Sequence, residues 1–203
     1  MKLTRFAHSC VRLETGNRAL VIDPGIWSES TSVDGATAVL VTHEHRDHIN
    51  ETLIAGTGPA VYAPKGCVLG DVAITEMELG INKQIAGFGV VAVGGEHARV
   101  VDDQDPCVNV GYIIDDRIYH PGDALHVPDQ PIEILFVPVH ASWLKTSEAI
   151  DFVAQIAPRR AFGIHEGQIN QRGLAAANHW LEKECDGRYQ WLPPGTTIDL
   201  SPD

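Results

Sequence analysis

Hydrophobic positions in this chain come mostly in short runs bounded by Gly, Pro, Asp and Asn, a pattern of β-strands more than of long helices. Leu3 and Arg5-Phe6, then Cys10-Val11-Arg12-Leu13, read as strands separated by polar breaks. Arg18-Ala19-Leu20-Val21-Ile22 is a further strand ending at Asp23-Pro24-Gly25, and a loop rich in Ser, Thr and Gly covers 26–36. The run Ala38-Val39-Leu40-Val41 has no polar member, as a buried strand requires. A short helix is expected over 49–55, a strand over 60–63 and a helix around 65–71. Strands follow at 87–93, 108–114 and 117–119, with Asp115-Asp116 turning between the last two. The final third predicts strand 134–138, helix 146–156, strand 161–164, helix 171–183 and a last strand near 196–200. Within 171–183, Leu174, Ala177, Trp180 and Leu181 fall on one helical face. Two halves, each of strands followed by helices, predict an α/β (α+β) fold of four layers: an αββα sandwich with two central sheets and helices outside. No repeat or Pro/Gly-rich linker interrupts the 203 residues, so one domain over 1–203 is expected.

Directly after 38–41 the chain reads Thr42-His43-Glu44-His45-Arg46-Asp47-His48-Ile49-Asn50. In an extended segment residues two apart point to the same side, so His43 and His45 can converge on one ion. Asp47 and His48 follow as the chain turns toward a helix and can face a second ion beside the first. Neutral imidazoles with carboxylates suit zinc, manganese or iron better than calcium or magnesium. The competing reading is a polar loop in which three of the 10 histidines fall together by chance. Two metals need more ligands than 43–48 supplies, and three later residues at expected strand ends qualify: His97, Asp123 in Pro121-Gly122-Asp123, and His165 after Ala161-Phe162-Gly163-Ile164.

Charge and composition narrow the function. A formal net charge of -12 repels polyanions at long range, and the pair Arg159-Arg160 opens a strand rather than forming a basic patch, so nucleic acid is disfavoured. No apolar run approaches the roughly 20 residues that span a bilayer, and no apolar stretch follows Lys2, so neither a membrane span nor a secretory signal is expected. Cys10, Cys67, Cys107 and Cys185 are scattered without a Cys-x-x-Cys pair, which fits buried thiols in a reducing cytoplasm. A homo-oligomer is open: helix 171–183 could supply an interface, though its apolar face suits the core.

The order His-x-His-x-Asp-His, a distant His, an Asp in a Gly-Asp step and a final His resembles the metallo-β-lactamase superfamily, and Asp23-Pro24-Gly25 resembles its opening Asp motif. Phe6-Ala7-His8-Ser9-Cys10 and Val137-Pro138-Val139 resemble a branch of small bacterial metal-dependent hydrolases that includes ascorbate-6-phosphate lactonase relatives. The resemblance implies that His43, His45 and His97 bind one metal, that Asp47, His48 and His165 bind a second, and that Asp123 bridges them. It implies that Asp23 supports a ligand histidine, where its own residue type would also allow a plain turn former. The implied activity is hydrolysis by hydroxide held between two divalent ions, most simply zinc, with manganese or iron as alternatives. The substrate would be a small molecule: an ester, lactone or phosphodiester.

Asp47 or His140 could carry the proton to the leaving group, His140 being equally readable as a plain loop residue. His8 could line the cleft or make one structural hydrogen bond, and Trp27 and Trp143 could wall a pocket or simply pack. His120, His126 and His179 read as structural or surface residues. Two other functions remain open at this stage: a metal-binding sensor or structural protein without turnover, and an iron-dependent thiol oxygenase.

Overall fold

The computed structural model describes residues 1–105 and 107–200. The first half runs β1 (Lys2–Arg5), β2 (Val11–Thr15), β3 (Arg18–Ile22), a 3-10 turn (Ser30–Val33), β4 (Ala38–Leu40), α1 (Glu51–Thr57), β5 (Ala60–Pro64) and β6 (Ile74–Met77). The rest runs β7 (Asn82–Ile85), β8 (Phe88–Gly94), β9 (Val110–Ile114), β10 (Ile118–His120), β11 (Ile134–Pro138), α2 (Thr146–Ile156), β12 (Arg160–Ile164), α3 (Gln171–Glu184), β13 (Tyr189–Gln190) and β14 (Thr196–Asp199). The strands form two seven-stranded sheets, in the orders β14-β1-β2-β3-β4-β5-β6 and β13-β12-β11-β10-β9-β8-β7. Strands β3 to β6 pair in parallel, as do β10 to β13, and α1, α2 and α3 lie on crossovers within these parallel halves.

The period-two pattern of the central strands explains the layering. Leu20 and Ile22 of β3, Leu40 of β4, Tyr112 and Ile114 of β9, Phe136 of β11 and Phe162 of β12 meet in the core between the sheets. Their neighbours point the other way. Val21 and Val39 join Ile54 of α1 on the outer face of the first sheet. Ile113, Leu135 and Val137 meet Phe152 and Val153 of α2 and Leu181 of α3 on the outer face of the second. This is the αββα sandwich expected from the sequence. Each fully buried large aliphatic or aromatic side chain contributes roughly 1.5–3 kcal/mol to holding the layers together.

The local differences have physical causes. Residues 65–71 form turns, not a helix, around Gly66 and Gly70, whose φ values of 84° and 49° are left-handed. The segment 26–36 holds a 3-10 turn in addition to loop. Strand β9 begins at Val110, two residues after the expected start. Strands β6, β7 and β13 were not legible; all three are sheet edges, which bury few side chains and so lack a strong apolar signal. In α3, Leu181 and Ala177 face the core, but Trp180 lies at the flank, 48% exposed, with Lys183 over its ring.

Candidate metal centre

Every candidate side chain lies just past the C-terminal end of a strand, at one rim of the sandwich: His8 after β1, Asp23 after β3, 43–48 after β4, His97 after β8, Asp123 after β10, His140 after β11 and His165 after β12. The segment 43–48 is not strand: β4 ends at Leu40, the chain bends over 42–44, and the His48 and Ile49 N–H groups both donate to the His45 carbonyl, a turn that carries Asp47 and His48 back toward His43. Asn50 ends this turn and caps α1 by accepting the Leu53 N–H. Gly25 lets the β3 loop lie against it: a Cβ there would stand 1.7 Å from the Asp47 carbonyl oxygen. Glu44 and Arg46, between the histidines, are exposed.

Three overlapping groups of ligating atoms result. Those of His43, His45 and His97 lie within 4.8 Å of one another, as do those of His43, His48 and Asp123, and those of His8, Asp47, His48 and His165. Asp123 connects the groups: Oδ1 is 3.1 Å from His48 Nε2, and Oδ2 is 3.0 Å from His165 Nε2 and 3.4 Å from His97 Nε2.

The partners on the far side of each ring set its tautomer. His97 Nδ1 donates to the Ala98 carbonyl at 2.5 Å, and His165 Nδ1 donates to the His140 carbonyl at 2.6 Å. His48 Nδ1 lies 2.7 Å from Asp23 Oδ2. The Thr42 hydroxyl donates to Asp23 Oδ2 at 2.7 Å, which leaves its oxygen to accept from His43 Nδ1 at 3.0 Å. Each of these four rings therefore turns an Nε2 lone pair inward. Those four Nε2 atoms and Asp123 Oδ1 are buried yet have no partner of hydrogen-bonding geometry among the described residues. Leaving such groups unmet costs about 1–3 kcal/mol apiece, and a bound cation removes that cost. Imidazoles and carboxylates converging in this way fit a divalent metal ion.

Electrostatics divide these rings: the carboxylates favour a proton on His48 that a bound metal must displace, whereas His43 is held in its neutral, ligating form. Burial disfavours charge on the His48 ring, but Asp123 and Asp23 outweigh it and hold its pKa well above the ordinary value. Burial, reinforced by His48, holds His43 well below it. Burial opposes ionisation of Asp123, yet His48 and His165 keep its carboxyl well below the usual range. At Asp47, burial is overcome by the hydrogen bond with His8 and the field of His48, bringing the carboxyl down to about 2. Burial lowers His8 to about 4.

The other expected residues divide. Trp143 joins the site, its indole N–H 3.3 Å from Asp123 Oδ2, and it walls a cavity of about 190 Å³ over the cluster together with His45, Gln104 and Gln168. Trp27 packs edge-on against His8. His140 takes part through its carbonyl, and its ring does not line that cavity. His120 is structural, its Nε2 bonded to the Ser9 carbonyl at 2.8 Å. Of the thiols, Cys10 is buried and pushed up to about 12 by burial, whereas Cys67 and Cys107 line a second cavity of about 360 Å³ that shares His45 and Gln104 with the first.

Sequence reasoning missed the supports. Thr42 ties Asp23 to His43, and Asn109 accepts the Asp123 N–H at 3.0 Å while donating to the Pro121 carbonyl at 2.9 Å. Buried Arg5 pairs with Glu166 beside His165. Thr42 adjoins the histidine cluster, which is a usable signal; Asn109 and Arg5 carry none of their own.

A family model described as a β-lactamase superfamily domain matches residues 2–165, the span that holds every candidate ligand. The chain belongs to the metallo-β-lactamase superfamily. A Mycobacterium tuberculosis relative is 37% identical over 188 residues, covering 86% of this chain and 89% of its own. A Methylobacterium nodulans relative named as a metal-dependent hydrolase is 27% identical over 207 residues, covering 83% of this chain and 86% of its own. The solved structure of a metallo hydrolase from the archaeon Ignicoccus hospitalis superposes with a TM-score of 0.73 at 19% identity, over 97% of each chain, and shows the same fold. No helix among the described residues is long and apolar enough to cross a membrane.

Proposed function

We propose that this protein is a metal-dependent hydrolase that holds two divalent cations and cleaves a small uncharged ester or lactone. The observation that carries the two-ion reading is the reach of Asp123 to His97 on one side and to His48 and His165 on the other. His43, His45 and His97 would hold one ion, Asp47, His48 and His165 the other, and Asp123 would serve both. The donor set suits zinc, with manganese or iron as alternatives. Ions bound there supply a water acidified to a pKa of about 7 and polarisation of the substrate carbonyl oxygen.

The chain's own groups do the rest. Asp23, through His48 and Thr42, fixes the direction of two inward lone pairs. Asp47 is half-buried at the cavity floor, ionised, and placed to take a proton and return it to a leaving alkoxide. Trp143 keeps one wall of the cavity apolar and restricts water. Neither cavity is lined by a described Lys or Arg, while Glu44 and Asp105 line the second, so attraction for an anionic substrate would fall to the bound ions alone, and an uncharged ester or lactone is the class proposed. The free cysteines fit a reducing compartment such as the cytoplasm.

Metal analysis of purified protein, followed by a screen of aryl esters, lactones and bis-aryl phosphodiesters with zinc, manganese and iron reloaded, tests the reading. It expects close to two equivalents of metal, ester or lactone turnover, and loss of both metal and turnover in His45→Ala. A single equivalent overturns the two-ion site, and faster turnover of phosphodiesters overturns the substrate class.

A further inference from the structure

We propose that His8 is a positioning residue rather than a metal ligand: its neutral imidazole donates Nε2–H to Asp47 and holds that carboxylate for the second ion. The proposal rests on the reading of Asp47 as a ligand. The distances alone would allow a different assignment, since the ligating atoms of His8, Asp47, His48 and His165 all lie within 4.8 Å of one another.

What separates His8 from the others is the far side of its ring. In His43, His48, His97 and His165 the Nδ1 atom faces an acceptor and Nε2 keeps its lone pair. In His8 the order is reversed. The Gly167 N–H donates to His8 Nδ1 at 3.0 Å. A ring whose Nδ1 accepts carries its proton on Nε2, and that atom lies 3.2 Å from Asp47 Oδ2. For His8 to bind a metal through Nε2, Nδ1 would have to carry the proton, and two N–H groups would then face each other. Glycine at 167 is part of the device: a Cβ there would stand 2.9 Å from His8 Nδ1 and 2.6 Å from the Trp27 ring.

The ring is also held against reorientation. Its residue has a left-handed backbone (φ 61°), which a non-glycine residue adopts at a cost that surrounding contacts must offset. Those contacts are present. The His8 N–H donates to Glu166 Oε1 at 3.0 Å, and its carbonyl accepts the His165 N–H at 3.0 Å. The ring lies against His165 at a centroid separation of 4.0 Å and edge-on to Trp27 at 4.8 Å. Arg5, paired with Glu166, clamps the same two loops. Phe6-Ala7-His8-Ser9-Cys10 thus acts as a brace between the end of β12 and the Asp47 turn.

The test combines spectroscopy with metal titration. Long-range proton–nitrogen NMR of histidine-labelled protein, with and without zinc, should show a pyridine-type Nδ1 and a pyrrole-type Nε2–H at His8 in both states. A proton on Nδ1, or a zinc-shifted Nε2, overturns the proposal. In parallel, His8→Phe should weaken the second equivalent of metal about ten- to a hundredfold and leave the first unchanged, and His8→Gln, which restores an N–H toward Asp47, should recover most of the loss. Unchanged affinity in His8→Phe overturns positioning, and failure of His8→Gln to recover any affinity points to a direct ligand and overturns it too. If His8→Phe does not fold, the NMR result on the unaltered protein decides. Fewer than two equivalents in the unaltered protein would instead count against the two-ion site itself, so the two failures are distinct.

Discussion

At the scale of single residues, the centre depends on groups that never touch an ion. Thr42 is the clearest: one hydroxyl donates to Asp23 and accepts from His43, so it sets two rings at once. Thr42→Val keeps the shape and removes that link. It is expected to cost about ten- to a hundredfold in metal affinity, read by competition with a chromophoric chelator, while circular dichroism stays unchanged. Affinity equal to the parent protein would show that His43 needs no such support. His43, His45, Asp47 and His48 were legible in the sequence as candidate ligands because ligand chemistry demands those residue types and they fall close together. Thr42 and Asn109 were not legible, because a hydroxyl or an amide becomes meaningful only beside the group it holds.

At the scale of elements, the two sheets must stay in register at one rim. The buried pair Arg5 and Glu166 helps, since Arg5 ends β1 in the first sheet and Glu166 follows β12 in the second. The Arg5 guanidinium also lies 4.4 Å over the Trp191 ring. Removing one partner leaves a buried charge unmet, so Glu166→Gln is expected to lower unfolding free energy by about 3–5 kcal/mol in urea titrations. Arg5→Met combined with Glu166→Gln should cost less than Glu166→Gln alone, because no charge is then stranded. A larger loss in the pair would refute that account. Central strands were legible from their apolar runs, whereas β6, β7 and β13 were hidden because an edge strand needs backbone pairing more than apolar side chains. The turns at 65–71 were mistaken for a helix because apolar spacing does not record that Gly66 and Gly70 turn left-handed.

For the whole molecule, charge and metal binding are the levers. With a net charge of -12 and no basic residue lining the cavities, turnover of an uncharged ester should be nearly independent of ionic strength. Turnover of an anionic analogue reads the balance between the acidic protein and the bound ions: a rise with salt is expected if the net charge dominates, and a fall would show that the ions' field does. Removing metal should lower the melting temperature, because ions that bind only the folded state stabilise it by about 2.7 kcal/mol at a hundred times their dissociation constant. Equal melting with and without chelator would mean that the cluster is not a metal site under those conditions.

By itself the sequence determined the alternating strands, the four layers and the identity of the residues with metal-ligating chemistry, since all of these follow from side-chain type and local period. Only the tertiary structure decided which nitrogen of each ring faces inward. For three rings that choice belongs to partners distant along the chain, Asp23 for His48, the His140 carbonyl for His165 and Gly167 for His8, and for His43 and His97 to the adjacent Thr42 and Ala98 as the fold orients them. An imidazole is the same residue in any sequence pattern. Whether it binds a cation or steadies a neighbour depends on which of its two nitrogens keeps the proton, and the surrounding fold makes that choice.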